Sequence, residues 1–189
     1  MKMSMSVILV FALILYTATT TVYGEYYSKS VPKFEMKEKV TKLHFYYFDT
    51  HSGKSPTAMV VAHPNITDET KPAGQFGTVY AIDNALRVGP ELTSKLIGNA
   101  RGLYVSSSLD DKVTLVMYVD YGFTSGKFNG SSISIFSRNP IAEPTPELAV
   151  VGGRGKFRMA RGFAKIKRHF LDAKTGDGII EYNVTLYHY

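Results

Sequence analysis

The C-terminal stretch "GIIEYNVTLYHY", Gly178 to Tyr189, decides the fold class. Ile180, Tyr182, Val184, Leu186 and His188 share one parity, and Ile179, Glu181, Asn183, Thr185 and Tyr187 share the other. A period of two built from β-branched and aromatic residues is a strand with one covered and one wetter face. Asn183 opens a glycosylation sequon and falls on the wetter parity, where a glycan would have to stand.

Similar runs precede it at Val40–Phe48, Thr57–His63, Gly77–Ile82, Gly102–Ser107, Val113–Tyr121, Ser131–Ser137 and Phe157–Phe170. Turn signals such as "HSGKSP", "FTSGKFNG" and "AKTGDG" separate them. No stretch carries a helical period, although "NALRVGPELTSKLIG", Asn84 to Gly98, has room for one short turn. The reading is all-β. So many antiparallel strands form a sandwich or a barrel, and closure into a barrel is preferred because it removes exposed edges. No internal repeat or linker is visible, so residues 40–189 are expected to form one domain.

The N-terminus predicts export. Lys2 precedes the apolar run "VILVFALILY", Val7 to Tyr16, and "VYG" ends a threonine-rich stretch at Gly24. This is the pattern of a secretory signal peptide over residues 1–24, followed by a mobile leader over 25–39. The apolar run falls short of the ~20 residues a span needs, so no membrane span remains after cleavage. The chain has no cysteine, which removes disulfides and thiolate chemistry. Sequons at Asn65, Asn129 and Asn183 suit an extracellular glycoprotein. Outside the cell, the formal charge of +6 meets acidic polysaccharide more readily than nucleic acid.

"VVGGRGKFRMARGFAKIKR", Val150 to Arg168, imitates several binding loops and completes none. Val150 and Phe157 stand where a P-loop needs glycine and serine or threonine. Arg158 occupies the third glycine of a dinucleotide fingerprint, and "RGFA" begins an RNA-binding pattern that Lys165 to Arg168 break. What remains is structural. Gly152 and Gly153 give a turn or bulge, and Ala160, Gly162 and Ala164 make a narrow face with room for a large side chain or a ligand.

Familiar catalytic sets are absent from the pattern. "GFTSG", Gly122 to Gly126, misplaces the serine of a nucleophile elbow. His44, His51, His63, His169 and His188 lack metal-ligand spacing, and Asp110 and Asp111 read as a solvated turn. Asp49 stands apart because it continues the parity of Leu43, Phe45 and Tyr47 in "KLHFYYFDT". It is either a buried acid, held neutral and able to donate a proton, or a wet strand cap. Tyr104, Ser106 and Ser108 share a face that offers hydroxyls to a phenolic ligand or to water.

"GLYVSSSLDDKVTLVMYVDYGFTSGKFNGSSISIFSRNP", then "ELAVVGGRGKFRMARGFA" and "GDGIIEYNVTLYHY", strongly resemble the plant dirigent protein family, from Val40 to Tyr189. The resemblance implies an eight-stranded antiparallel barrel, a homo-oligomer (trimer or dimer), secretion to the apoplast and glycosylation. It also implies no cofactor and no oxidation by the protein itself. An external laccase or peroxidase makes phenoxy radicals of monolignol-type phenols, and the barrel directs their coupling in lignan and phenylpropanoid biosynthesis. Relatives resembling pterocarpan synthases instead close a ring on a quinone methide. Both routes need an apolar pocket and an acid. Carried over by position, Asp49 and Asn139 form the expected catalytic set and Tyr104 a pocket tyrosine; strand parity adds Ser106, Phe45 and Tyr47 to the expected substrate-binding residues. Phe48 and Pro146 depart from the family pattern, replacing a histidine and an arginine. Radical coupling is the leading reading, quinone methide cyclisation the alternative, and a non-catalytic carrier of phenolics the third.

Overall fold

The structure is a computed structural model that describes residues 9, 28, 30–32, 35–65, 75–109 and 112–189. The chain divides into two units, Met1–Glu35 and Met36–Tyr189. The segment read as a signal peptide, the pair Asp110 and Asp111, and Thr67 of the first sequon lie outside the described residues, Leu9 excepted.

The second unit is a closed antiparallel barrel. Its strands are β1 (Lys39–Asp49), β2 (Ala58–Ala62), β3 (Val79–Arg87), β4 (Leu96–Ser106), β5 (Thr114–Phe123), β6 (Ser132–Pro140), β7 (Glu147–Arg154), β8 (Arg161–Leu171) and β9 (Gly178–His188). Their order is β1-β9-β8-β7-β6-β5-β4-β3, and a β1–β3 pairing closes the ring at eight strands. The short β2 is an addition in the same slot. On β3, Leu86 pairs with Tyr47 of β1, and Ile82 then pairs with Ala58 of β2. The chain leaves the wall after Asp49 and returns at Ala58. The amides of Thr57 and Ala58 pinch the neck of that excursion by donating to the Thr50 carbonyl at 2.8 and 3.0 Å.

Eight runs are legible in the sequence, but they are not the eight staves. They include β2 and lack β7. The glycines of "ELAVVGGR" suggest a turn, yet Gly152 and Gly153 stay in the ladder opposite Ser134 and Ile133. A register shift between Ser134 and Ile135 absorbs the extra residue, so the bulge bends the strand without ending it. The run expected from Phe157 begins later, at Arg161, because Gly155–Phe157 forms a single 3-10 turn. An identical tripeptide, Gly126–Phe128, forms a second such turn, and their phenylalanine rings lie 4.6 Å apart. Asn84 to Gly98 holds the end of β3, a loop and the start of β4, with no helix.

Alternation along each strand sorts the interior. On β9, Tyr182, Val184, Leu186 and His188 are buried and Asn183 is exposed. One half of the barrel is packed solid: Phe45 stacks on Tyr182 at 5.3 Å and meets Phe123 edge-on at 6.0 Å. Phe123 in turn meets Phe157 at 6.0 Å. Each such ring contributes roughly 1.5–3 kcal/mol by leaving water. A chain without cysteine has no disulfides to hold it and needs a core of this kind. Ala160 and Ala164 are buried in this packed half. The narrow face therefore serves packing, and none of Ala160, Gly162 and Ala164 lines the ligand-sized cavity in the other half.

Candidate active site

Where the aromatic packing stops, the barrel opens into a cavity of about 630 Å³. That is within the range of small-molecule sites. Leu115, Met117, Ile166 and Ile180 give it apolar walls, and Tyr47, Tyr80, Tyr104 and Tyr182 give it aromatic ones. Tyr80 and Tyr104 stack at 4.8 Å, a consequence of their pairing across β3 and β4.

The polar groups converge on Asp49, at the point where β1 leaves the wall. Asn84, fully buried on β3, donates its amide to Asp49 Oδ1 at 2.9 Å and to the Tyr47 hydroxyl at 2.6 Å. Its own oxygen accepts from the Thr57 hydroxyl. On the other carboxylate oxygen, Tyr104 donates to Oδ2 at 3.3 Å. His51 Nε2 lies 3.5 Å from Oδ2 and 3.0 Å from the Tyr104 hydroxyl. The sequence leaves open whether Asp49 is enclosed or a wet cap; its side chain is 15% exposed and faces the cavity.

The surroundings fix the charge of several partners. Burial, then the Asp49 charge, pushes the Tyr104 phenol well above its usual range, so it stays a neutral donor. Burial does the same to Tyr47, Tyr121 and Tyr182. Hydrogen bonding to Asp49 raises the His51 imidazole, against desolvation and with further help from the charges of Asp49 and Asp177. Asp177, in the turn between β8 and β9, holds the excursion in place. It accepts from the amides of His51 and Ser52 at 2.6 and 3.0 Å and from the Ser52 hydroxyl. Those bonds, the Ser52 hydroxyl first, lower its pKa.

Of the residues read from the sequence, Asp49, Tyr47, Tyr104 and Asn139 meet at this cavity. Asn139 is 8% exposed; its amide nitrogen sits 3.5 Å from Met117 Sδ and its Oδ1 is buried without a hydrogen-bond partner. Phe45 and Ser106 are not brought there. Phe45 belongs to the packed half, and Ser106 is fully buried outside the lining. The departure at Phe48 lies off the lining too, with the Arg87 guanidinium 5.7 Å from its ring. Pro146 does line the cavity, as does Arg168 of β8, whose guanidinium donates to the Ile141 carbonyl at 2.7 Å. His51, Asn84 and Tyr80 are the additions. Asn84 carries a signal in the sequence: a polar residue on the parity of Ile82 and Leu86, both buried. His51 carries none, being past the end of its strand. Among the described residues no cluster of histidine and acidic groups has the makings of a metal site.

A barrel of this topology is matched by known proteins. The family model described as "Dirigent-like protein" matches residues 40–187, and the chain belongs to that family. It is 51% identical to Dirigent protein 15 of Arabidopsis thaliana, over 99% of this chain and 100% of that protein. It is 44% identical to Pterocarpan synthase 1 of Glycyrrhiza echinata, over 93% and 92% of the two chains. A solved pterocarpan synthase dirigent protein superposes with a TM-score of 0.78 at 44% identity, over 86% of this chain and 99% of that one.

Proposed function

We propose that this dirigent-family barrel controls the stereochemistry of phenoxy radical coupling of monolignol-type phenols. The radicals come from an external laccase or peroxidase. One observation carries the reading: the Asp49 carboxyl, tied to Tyr104 and His51, stands in the wall of a largely apolar, aromatic cavity. Coupling two phenoxy radicals through their side chains gives a quinone methide, whose oxygen must gain a proton as an internal hydroxyl attacks its exocyclic carbon. Aromatic walls hold the rings, and Asp49 is placed to protonate the oxygen. Stereocontrol by orientation needs little energy, since ~1.4 kcal/mol between competing transition states is tenfold in product. The protein is further proposed to be secreted after cleavage at Gly24, glycosylated at the exposed Asn65, Asn129 and Asn183, and homo-oligomeric.

A second reading is favoured by the likeness to pterocarpan synthases. There the quinone methide arises by loss of water from an isoflavanol-like substrate, and no oxidant is required. Purified protein, assayed with laccase and a set of monolignols and separately with isoflavanols alone, distinguishes the two by chiral chromatography. Enantiomeric excess only with laccase supports the first, and conversion without oxidant the second. Saturable binding with racemic product throughout would leave a phenolic carrier.

A further inference from the structure

Three features place His51 in a position that a loop residue does not reach by accident. Its backbone amide is held by Asp177 at 2.6 Å. Its ring stands edge-on to Tyr80 at 5.5 Å and packs on the β8–β9 turn, where a Cβ added to Gly176 would meet the ring at 3.4 Å. Its Nε2 faces both the Tyr104 hydroxyl and Asp49 Oδ2, while its side chain keeps 21% exposure at the cavity mouth. With Nε2 protonated, the donors align in one direction: Nε2–H to the Tyr104 oxygen, and Tyr104 O–H to Asp49 Oδ2.

We propose that His51 is a further proton-handling residue of this site, reloading Asp49 through Tyr104 from water at the mouth. The proposal rests on the acid-assisted quinone methide reading above. The proton balance gives such a device a task. Asp49 gives a proton to the quinone methide oxygen, a hydroxyl of the substrate forms the new C–O bond, and that hydroxyl releases its proton. No electrons are transferred and no net proton is consumed, but the proton leaves from a different oxygen than the one that received it. The released proton returns through His51, Tyr104 moves one on to Asp49, and the starting state is restored. Tyr104 suits the middle position because burial keeps it neutral. His51 suits the outer one because its Nε2 reaches the Tyr104 hydroxyl while its side chain stays part-exposed, and its bond to Asp49 favours the proton. The ionisable groups that face it are Asp49, Tyr104, Tyr80 and Asp177, and Arg168, Lys174, Asp172 and Glu143 line the same cavity.

The test is His51→Gln, which keeps a donor of similar reach but does not titrate. It is assayed with two probes: an isoflavanol alone, read as rate of ring closure, and a 4-hydroxycinnamyl alcohol with laccase, read as enantiomeric excess. For whichever probe the wild type handles, the readout should decline as pH rises through a value above the ordinary ~6.5 of histidine. In His51→Gln that decline should vanish and the low-pH ring-closure rate should be lower by on the order of tenfold. A variant that keeps both the decline and the rate overturns the relay while leaving the proposed function standing. A wild type inert toward both probes instead defeats the function. The relay is then decided by NMR titration, with the His51 resonance assigned by its loss in His51→Gln. Its midpoint should lie above the ordinary value and fall in Asp49→Asn; a midpoint indifferent to Asp49→Asn overturns it.

Discussion

Two glycines in the stretch from Val150 to Arg168 should respond to the same substitution in opposite ways. A Cβ added to Gly162 would sit 2.0 Å from the Thr185 carbonyl oxygen and 3.1 Å from Leu186 Cα, whereas one added to Gly152 meets nothing within 4 Å. The first is a clash with backbone, and ordinary contact begins at 3.4 Å, so β8 and β9 must separate by more than an ångström. Overpacking of this kind costs ~1–3 kcal/mol, and two weakened ladder hydrogen bonds add ~0.5–1.5 each, for a total of about 2–6 kcal/mol. For a domain of roughly 150 residues, at ~2–4 °C per kcal/mol, that lowers Tm by ~4–24 °C. Gly152→Ala should be neutral or stabilising by up to ~1 kcal/mol, because alanine restricts the unfolded chain. Urea unfolding at constant m-value measures both. A Gly162→Ala variant within ~0.5 kcal/mol of wild type, or a Gly152→Ala variant that is the worse of the two, would refute the reasoning.

Two further substitutions probe the mouth and the cavity. Asp177 has a lowered pKa in the fold, so its contribution is fully present above the ordinary carboxylate value of ~3.9 and is lost as pH falls through the lowered one. Asp177→Asn should therefore be less stable than wild type at pH 7, with the gap closing below about pH 4 in thermal melts; a gap independent of pH would contradict this. Asn139→Leu removes a buried acceptor that has no protein partner, so the fold should hold or gain stability while affinity for a phenol falls. Titration calorimetry with a monolignol and a thermal melt report the two effects, and a destabilised variant with unchanged affinity would assign Asn139 to structure alone.

What the sequence reveals and conceals follows from the range of the interactions concerned. Parity within a strand is local, and it places Tyr182, Val184 and Leu186 inside and Asp49 on the cavity side of β1. β7 is concealed because its glycines are tolerated by a bulge whose compensation lies on β6. Phe45 and Tyr47 have the same parity, yet only Tyr47 lines the cavity. The boundary between packed and open halves is set by residues on other strands, which parity cannot report. His51 is the extreme case, since its place depends on a hydrogen bond to Asp177, 126 residues away. The family resemblance adds Asn139 to the site and supports Tyr104, which strand parity also offers, and both reach the cavity. Parity also offers Ser106, which is buried outside the lining.

The central claim is that Asp49 is the acid of this cavity, and Asp49→Asn tests it most directly. The amide oxygen can still accept from Asn84, so the barrel should remain folded with an unchanged melting profile and ligand should still bind. The amide cannot deliver a proton. Enantiomeric excess with laccase and a monolignol, or ring closure of an isoflavanol without oxidant, is measured on the same preparation. The account predicts near-racemic product in the first assay or a rate lower by ~10²-fold or more in the second. A folded Asp49→Asn protein with undiminished stereoselectivity and turnover would contradict it, and would make Asp49 a cap at the end of β1.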